Sequence, residues 1–136
     1  LIVYAPTSYG AELVDEYDEN LRYVPSDADV YFRLFYSYTS GSNSIYELRA
    51  YVMGTTLSQA VKVSNYKVKS TSGLVYKSGS FNKSYSTALS NNVYVTMVTI
   101  PSSVTSVRVT TTGTAVYFVN DEWLSVNDVN ELVDLT

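Results

Sequence analysis

Residues 30–39 run Val-Tyr-Phe-Arg-Leu-Phe-Tyr-Ser-Tyr-Thr, with Val30, Phe32, Leu34, Tyr36 and Tyr38 at every second position and Arg33, Ser37 and Thr39 between them. That period belongs to a strand with one buried face, and a helix does not satisfy it. Gly41, Ser42, Asn43 and Ser44 follow as a turn cluster. Residues 45–53 then alternate again, with Tyr46, Leu48, Ala50 and Val52 opposite Glu47 and Arg49. Two alternating runs around a Gly/Asn turn predict a β-hairpin. On its solvent side Glu47 and Arg49 are same-face neighbours, which predicts a surface ion pair.

The same signals recur down the chain. Val61 and Val63 share a phase that slips by one at Ser64 and Asn65 before Tyr66 and Val68, the mark of a β-bulge. A turn at residues 70–73 leads into a strand over 74–77, and residues 79–91 read as loop. Residues 92–100 form the most β-rich run and stop at Pro101, which cannot donate to a ladder. Residues 104–111 and 114–120 read as two strands paired around Thr112 and Gly113. Turn signals at such spacing predict an all-β chain, an antiparallel β-sandwich of about 7–9 strands, Ig-like or jelly-roll-like. The acidic ends differ. Leu13, Val14, Tyr17, Leu21 and Val24 fit a helical stripe over 11–24 that Pro25 would stop. Ser125 and Asp128 open a second short helix over 125–135, with Val126, Val129, Leu132 and Val133 on one side. In domain terms, residues 1–10 form an apolar extension and 11–136 a single sandwich domain.

Composition removes several chemistries. The chain of 136 residues has no Cys and no His. Thiolate nucleophiles, disulfides, Ser-His-Asp triads and imidazole metal sites are therefore excluded. Ser64 with Lys67 and Ser80 with Lys83 have Ser-x-x-Lys spacing, but both pairs fall in strand or loop sequence, where no helical turn stacks lysine on serine. Glu47 is the only acid in residues 30–120, so no carboxylate pair for glycoside hydrolysis faces itself across the β body. The expectation is a non-enzymatic protein.

Charge is segregated. Residues 1–29 hold seven acids and one base, residues 30–120 eight bases and one acid, and residues 121–136 five acids and no base. The small net charge of -4 thus hides a basic body between acidic ends, a pattern that speaks to partners rather than to fold. Carboxylate clusters suit a hard cation, so calcium is the expected ligand if one binds, with Asp15, Asp18, Glu19, Asp27, Asp29, Asp121 and Glu122 as candidate ligands. Acidic ends disfavour nucleic acid. The run at residues 1–5 is too short for a signal-peptide core or a membrane span, so no membrane insertion is expected. The opening on Leu1 rather than Met reads as a removed leader or a fragment. Low charge, absent Cys and abundant Ser, Thr and Tyr suggest an exported prokaryotic protein, extracellular or at the cell surface.

The sharpest functional signal is Leu1, Ile2, Val3 and Tyr4, a β-prone apolar run at a chain end where fraying is normal. Burying each large apolar side chain is worth roughly 1.5–3 kcal/mol. One destination is this chain's own sandwich. The other is an open sheet edge of the next copy, with Pro6 in the hinge. Donation of that kind is head-to-tail and builds filaments, tubes or layers from copies of one chain. The alternative function is a secreted carbohydrate-binding module that presents Tyr76, Phe81 and Tyr85 to a glycan.

Overall fold

The computed structural model describes residues 11–12, 24–25, 29–53, 58–84, 92–118 and 122–135. Alternation in residues 30–53 becomes a hairpin of β3 (Asp29–Ser40) and β4 (Asn43–Met53), preceded in the chain by the two-residue strands β1 (Ala11–Glu12) and β2 (Val24–Pro25), which pair with each other. Ser40 faces Asn43 across the hairpin, and Gly41 takes φ 62° at its tip, a left-handed conformation that glycine adopts without strain. Arg49 Nη1 donates to Glu47 Oε2 at 2.7 Å, the expected outer-face pair. The remaining strands are β5 (Ser58–Lys69), β6 (Val75–Ser84), β7 (Asn92–Pro101), β8 (Ser106–Phe118), β9 (Glu122–Ser125) and β10 (Asn130–Asp134).

They form two antiparallel sheets, one ordered β3-β4-β7 and the other β10-β8-β5-β6, with β9 beside β10 on the same side of β8. The chain is all-β, and the two sheets make a sandwich. β9 and β10 lie on one straight pairing line with β8, since Ala115 faces Ser125 and Thr110 faces Asn130. Counted as one interrupted edge strand, they complete seven strands from β3 onward. The order is that of an immunoglobulin-type Greek key whose fourth strand pairs with the third instead of the fifth. The core lies between the sheets. Val30, Phe32, Leu48, Ala50, Val98 and Ile100 come from one side, and Val61, Val63, Val68, Val107, Val109 and Val116 from the other. Phe32 meets Phe81 edge-on at 6.3 Å between centroids, which ties β3 to β6 through the core.

A line of irregularity crosses the larger sheet. In β5 the buried series is Val61, Val63, then Tyr66, Val68; in β8 it is Val107, Val109, Thr111, then Thr114, Val116. Along the edge strand, partly buried Val126 is followed by buried Val129. Each strand takes one three-residue step, and the steps are neighbours, because Asn65 faces Thr112 and the Thr111 N–H donates to the Val129 carbonyl. The expected bulge at Ser64 and Asn65 is present against β6, where the register shifts between Val63 and Tyr66. Side chains satisfy the interrupted ladder. The Val129 N–H donates to Thr111 Oγ1 at 2.8 Å, the Thr111 and Thr114 hydroxyls bond at 2.8 Å, and Thr114 Oγ1 donates to Asp128 Oδ1 at 2.9 Å. Each hydroxyl has one proton, so Thr111 donates to Thr114 and the chain of bonds runs one way, towards the carboxylate.

Three local expectations are corrected, and a fourth is tested only at its ends. Gly113 is not a hairpin tip: β8 is continuous through Thr112 and Gly113, because its pairing with β5 runs unbroken from Ala60 to Lys69. Residues 79–84 are strand, not loop, since Phe81 enters the core and the flanking polar residues pair with β5. Residues 125–135 are not a helix. Val133 and Leu135 are buried alternately with exposed Asp134, and Asp128 accepts from Thr114 instead of capping a helical turn. Of the proposed helix over 11–24, the ends are extended and paired with each other, while residues 13–23 lie outside the described residues.

Candidate functional site

The sheet borders decide what the molecule can join. β10 lies beside β3 along one flank of the sandwich, and β6 beside β7 along the other. Exposed strand edges invite added strands, and charged side chains discourage them. β6 carries Lys77 and Lys83, and the β9–β10 edge carries Glu131 and Asp134. The ammonium of Lys83 also sits 5.4 Å from the Tyr94 ring of β7, so the second flank is bridged.

The outer edge of β3 differs. Among the described residues β4 is its only ladder partner. At its first half the edge is closed by a side chain: Glu131 Oε1 accepts from the Phe32 N–H at 2.6 Å, and Glu131 Oε2 lies 3.7 Å from Arg33 Nη1. Beyond Arg33 the strand reads Leu-Phe-Tyr-Ser-Tyr-Thr-Ser, with no charge. Phe35, Tyr36 and Tyr38 are 46%, 58% and 54% exposed. Tyr36 is held edge-on to Tyr46, and its hydroxyl bonds that of Thr39 at 2.6 Å. A register shift between Tyr36 and Tyr38 marks a bulge that ends the regular edge. The outward-facing donor at Phe32 is therefore occupied, and the next stretch of edge is uncharged, aromatic and accessible.

The sequence candidates fall unevenly on this frame. Leu1, Ile2, Val3, Tyr4 and Pro6 lie outside the described residues, as do Asp15, Asp18, Glu19, Asp27 and Asp121. Asp29 is exposed at the start of β3, and Glu122 opens β9. Among the described residues no three acids gather as a metal site would require. Of the glycan candidates, Tyr85 lies outside the described residues, and Tyr76 packs partly against the core. Phe81 is corrected: at 8% exposure its ring lies against Phe32 and Tyr66, so it has no face to offer a sugar.

Sequence reasoning missed a second surface, on the outer face of the larger sheet. Trp123 of β9 and Tyr117 of β8 are register partners whose rings lie 5.1 Å apart at 57°. Lys62 Nζ stands 4.1 Å from the centre of the Trp123 ring. The available signal was the closeness of Tyr117 and Trp123 in sequence, which the antiparallel pairing of β8 with β9 turns into register.

Tyr66 is the one described side chain with a displaced titration. Burial pushes its hydroxyl above the ordinary 10.0, a hydrogen bond with Thr96 works the other way, and Tyr94 adds a smaller upward push. The folded state thus holds the Tyr66 proton more tightly than the unfolded chain. Its contribution is constant below pH 10 and is lost as pH rises through the folded value. Comparing urea midpoints at pH 8 and pH 11, Tyr66→Phe is expected to lose less stability than the parent chain. An equal or larger loss in the variant would contradict this.

No protein-family model matches the chain, and no curated protein sequence matches it.

Proposed function

We propose that the protein is an exported, non-enzymatic structural subunit that assembles head-to-tail by strand addition. Leu1, Ile2, Val3 and Tyr4 of one copy lie along the outer edge of β3 in the next, beyond Arg33. The observation that carries this reading is the uncharged edge with three exposed aromatic residues on a strand whose first part alone, at Val30 and Phe32, enters the core. A neighbour's strand there would gain main-chain hydrogen bonds and cover Tyr36 and Tyr38. Because donor and acceptor are different surfaces, the contact repeats without closing and gives filaments, tubes or layers. Acidic ends resting on a neighbour's basic body add register, and calcium held by those ends is an auxiliary bridge.

The test is removal of residues 1–6. Negative-stain microscopy and light scattering are expected to show assemblies for the full chain and folded monomers for the shortened one. Equal assembly by both chains would exclude donation by this segment.

A further inference from the structure

Trp123 is the only tryptophan in the chain, and it sits 36% exposed on a sheet face far in sequence from Tyr76, Phe81 and Tyr85, the residues first suspected of glycan binding. Its surroundings are those of a small built shelf. Ala60 faces Tyr117 in the pairing of β5 with β8, and Ala115 faces both Lys62 and Ser125. These two short side chains occupy outward positions and are nevertheless buried. They leave room above the sheet for the larger groups to meet. Lys62 half-emerges there with its ammonium against the tryptophan ring, and among the described residues no carboxylate pairs with it. Exposed Asn82 is its register partner on β6 and adds an amide at the border.

We propose that this shelf binds an acidic sugar, a hexuronate unit of a polysaccharide. Two rings inclined at 57° do not make the parallel slot that a flat base or aromatic ligand needs. Their V shape fits the puckered ring of a saccharide, whose C–H faces pack on aromatic surface. The ammonium supplies the charge that a sugar carboxylate requires, in a place where the protein itself offers no counter-ion among the described residues. A cation already resting on an aromatic face is pre-positioned and loses little freedom on binding. The amide of Asn82 can both donate to and accept from sugar hydroxyls. The proposal is independent of strand addition, since it uses the opposite sheet.

The single tryptophan makes the site its own reporter. The full chain is titrated with tetragalacturonate and, separately, with the neutral galactotetraose, while tryptophan emission is followed. Saturable change with the acidic sugar is expected, with affinity at least tenfold above that for the neutral one and falling as salt is raised. Lys62→Gln is expected to bring the acidic sugar down to the neutral level, and Lys62→Arg to keep the preference. Circular dichroism of both variants establishes that they fold. Silence with both sugars, equal affinity for the two, or a preference unchanged by Lys62→Gln in a folded protein would each overturn the assignment.

Discussion

Gly113→Ala is expected to destabilise the fold by about 2–5 kcal/mol, a large part of the roughly 5–15 kcal/mol available to a domain. Two costs combine. Gly113 has φ 67°, where a residue with a Cβ is strained by roughly 1–2 kcal/mol. A Cβ at this position would also stand 2.4 Å from Ser64 Oγ and 2.7 Å from Ser64 Cβ. Both residues are exposed, so the Ser64 hydroxyl can rotate away, but the overlap with Ser64 Cβ between two paired strands remains, and relieving it costs roughly 1–3 kcal/mol more. The overlap falls where β5 and β8 both take their extra step, and β8 cannot move aside without disturbing the bonds among Thr111, Thr114 and Asp128. Urea unfolding measures the loss, and Ser64→Gly in the same chain is expected to return the steric share while leaving the backbone share. A Gly113→Ala protein as stable as the parent would mean that the line of irregularity is not a fixed feature of the sheet.

That line also explains what the sequence made legible and what it hid. The β3–β4 hairpin could be read directly, because alternation and the Gly41 turn agree and nothing tertiary opposes them. The slip at Ser64 and Asn65 was equally readable, since Val63 and Tyr66 are unambiguous core residues on either side. Thr112 and Gly113 carry the same local signal as a hairpin tip. What decides for a continuous strand is the long register of β8 with β5, a non-local fact. The C-terminal segment misled in a related way. Val126 and Val129 are three apart because the edge strand takes its extra step there, and a three-residue spacing is also what a helix shows. Leu132, placed on the helical stripe, is in fact exposed, whereas Leu135 is buried. For residues 79–84 one aromatic side chain, Phe81, was enough to hold an otherwise polar strand in the sheet. The open edge of β3 was hidden because alternation identifies a strand but not its place in the sheet order. Alternation places Tyr36 and Tyr38 on the buried face with Val30 and Phe32, but both are exposed, with a register shift between them.

Strand donation predicts a covalent ladder. The chain contains no cysteine, so an introduced pair has no competitor within the molecule. A chain carrying Val3→Cys together with Tyr36→Cys places one thiol on the donor segment and one on the exposed edge of β3. A disulfide needs Cα atoms within about 7 Å, which adjacent strands provide when the two positions are opposite or nearly so. Tyr38→Cys in place of Tyr36→Cys covers the next position on the same border. The Tyr36 ring is mostly in solvent, and its loss removes one edge contact with Tyr46 and one hydroxyl bond with Thr39, so the fold is expected to survive.

The decisive measurement is non-reducing electrophoresis of these double-cysteine chains after mild oxidation of the assembled protein. A ladder of multimers that collapses to a single band on reduction is the result expected if each copy's leading segment lies on its neighbour's β3. A cross-linked monomer from either pair would place the segment on its own molecule, and no product from both pairs would remove β3 as its acceptor.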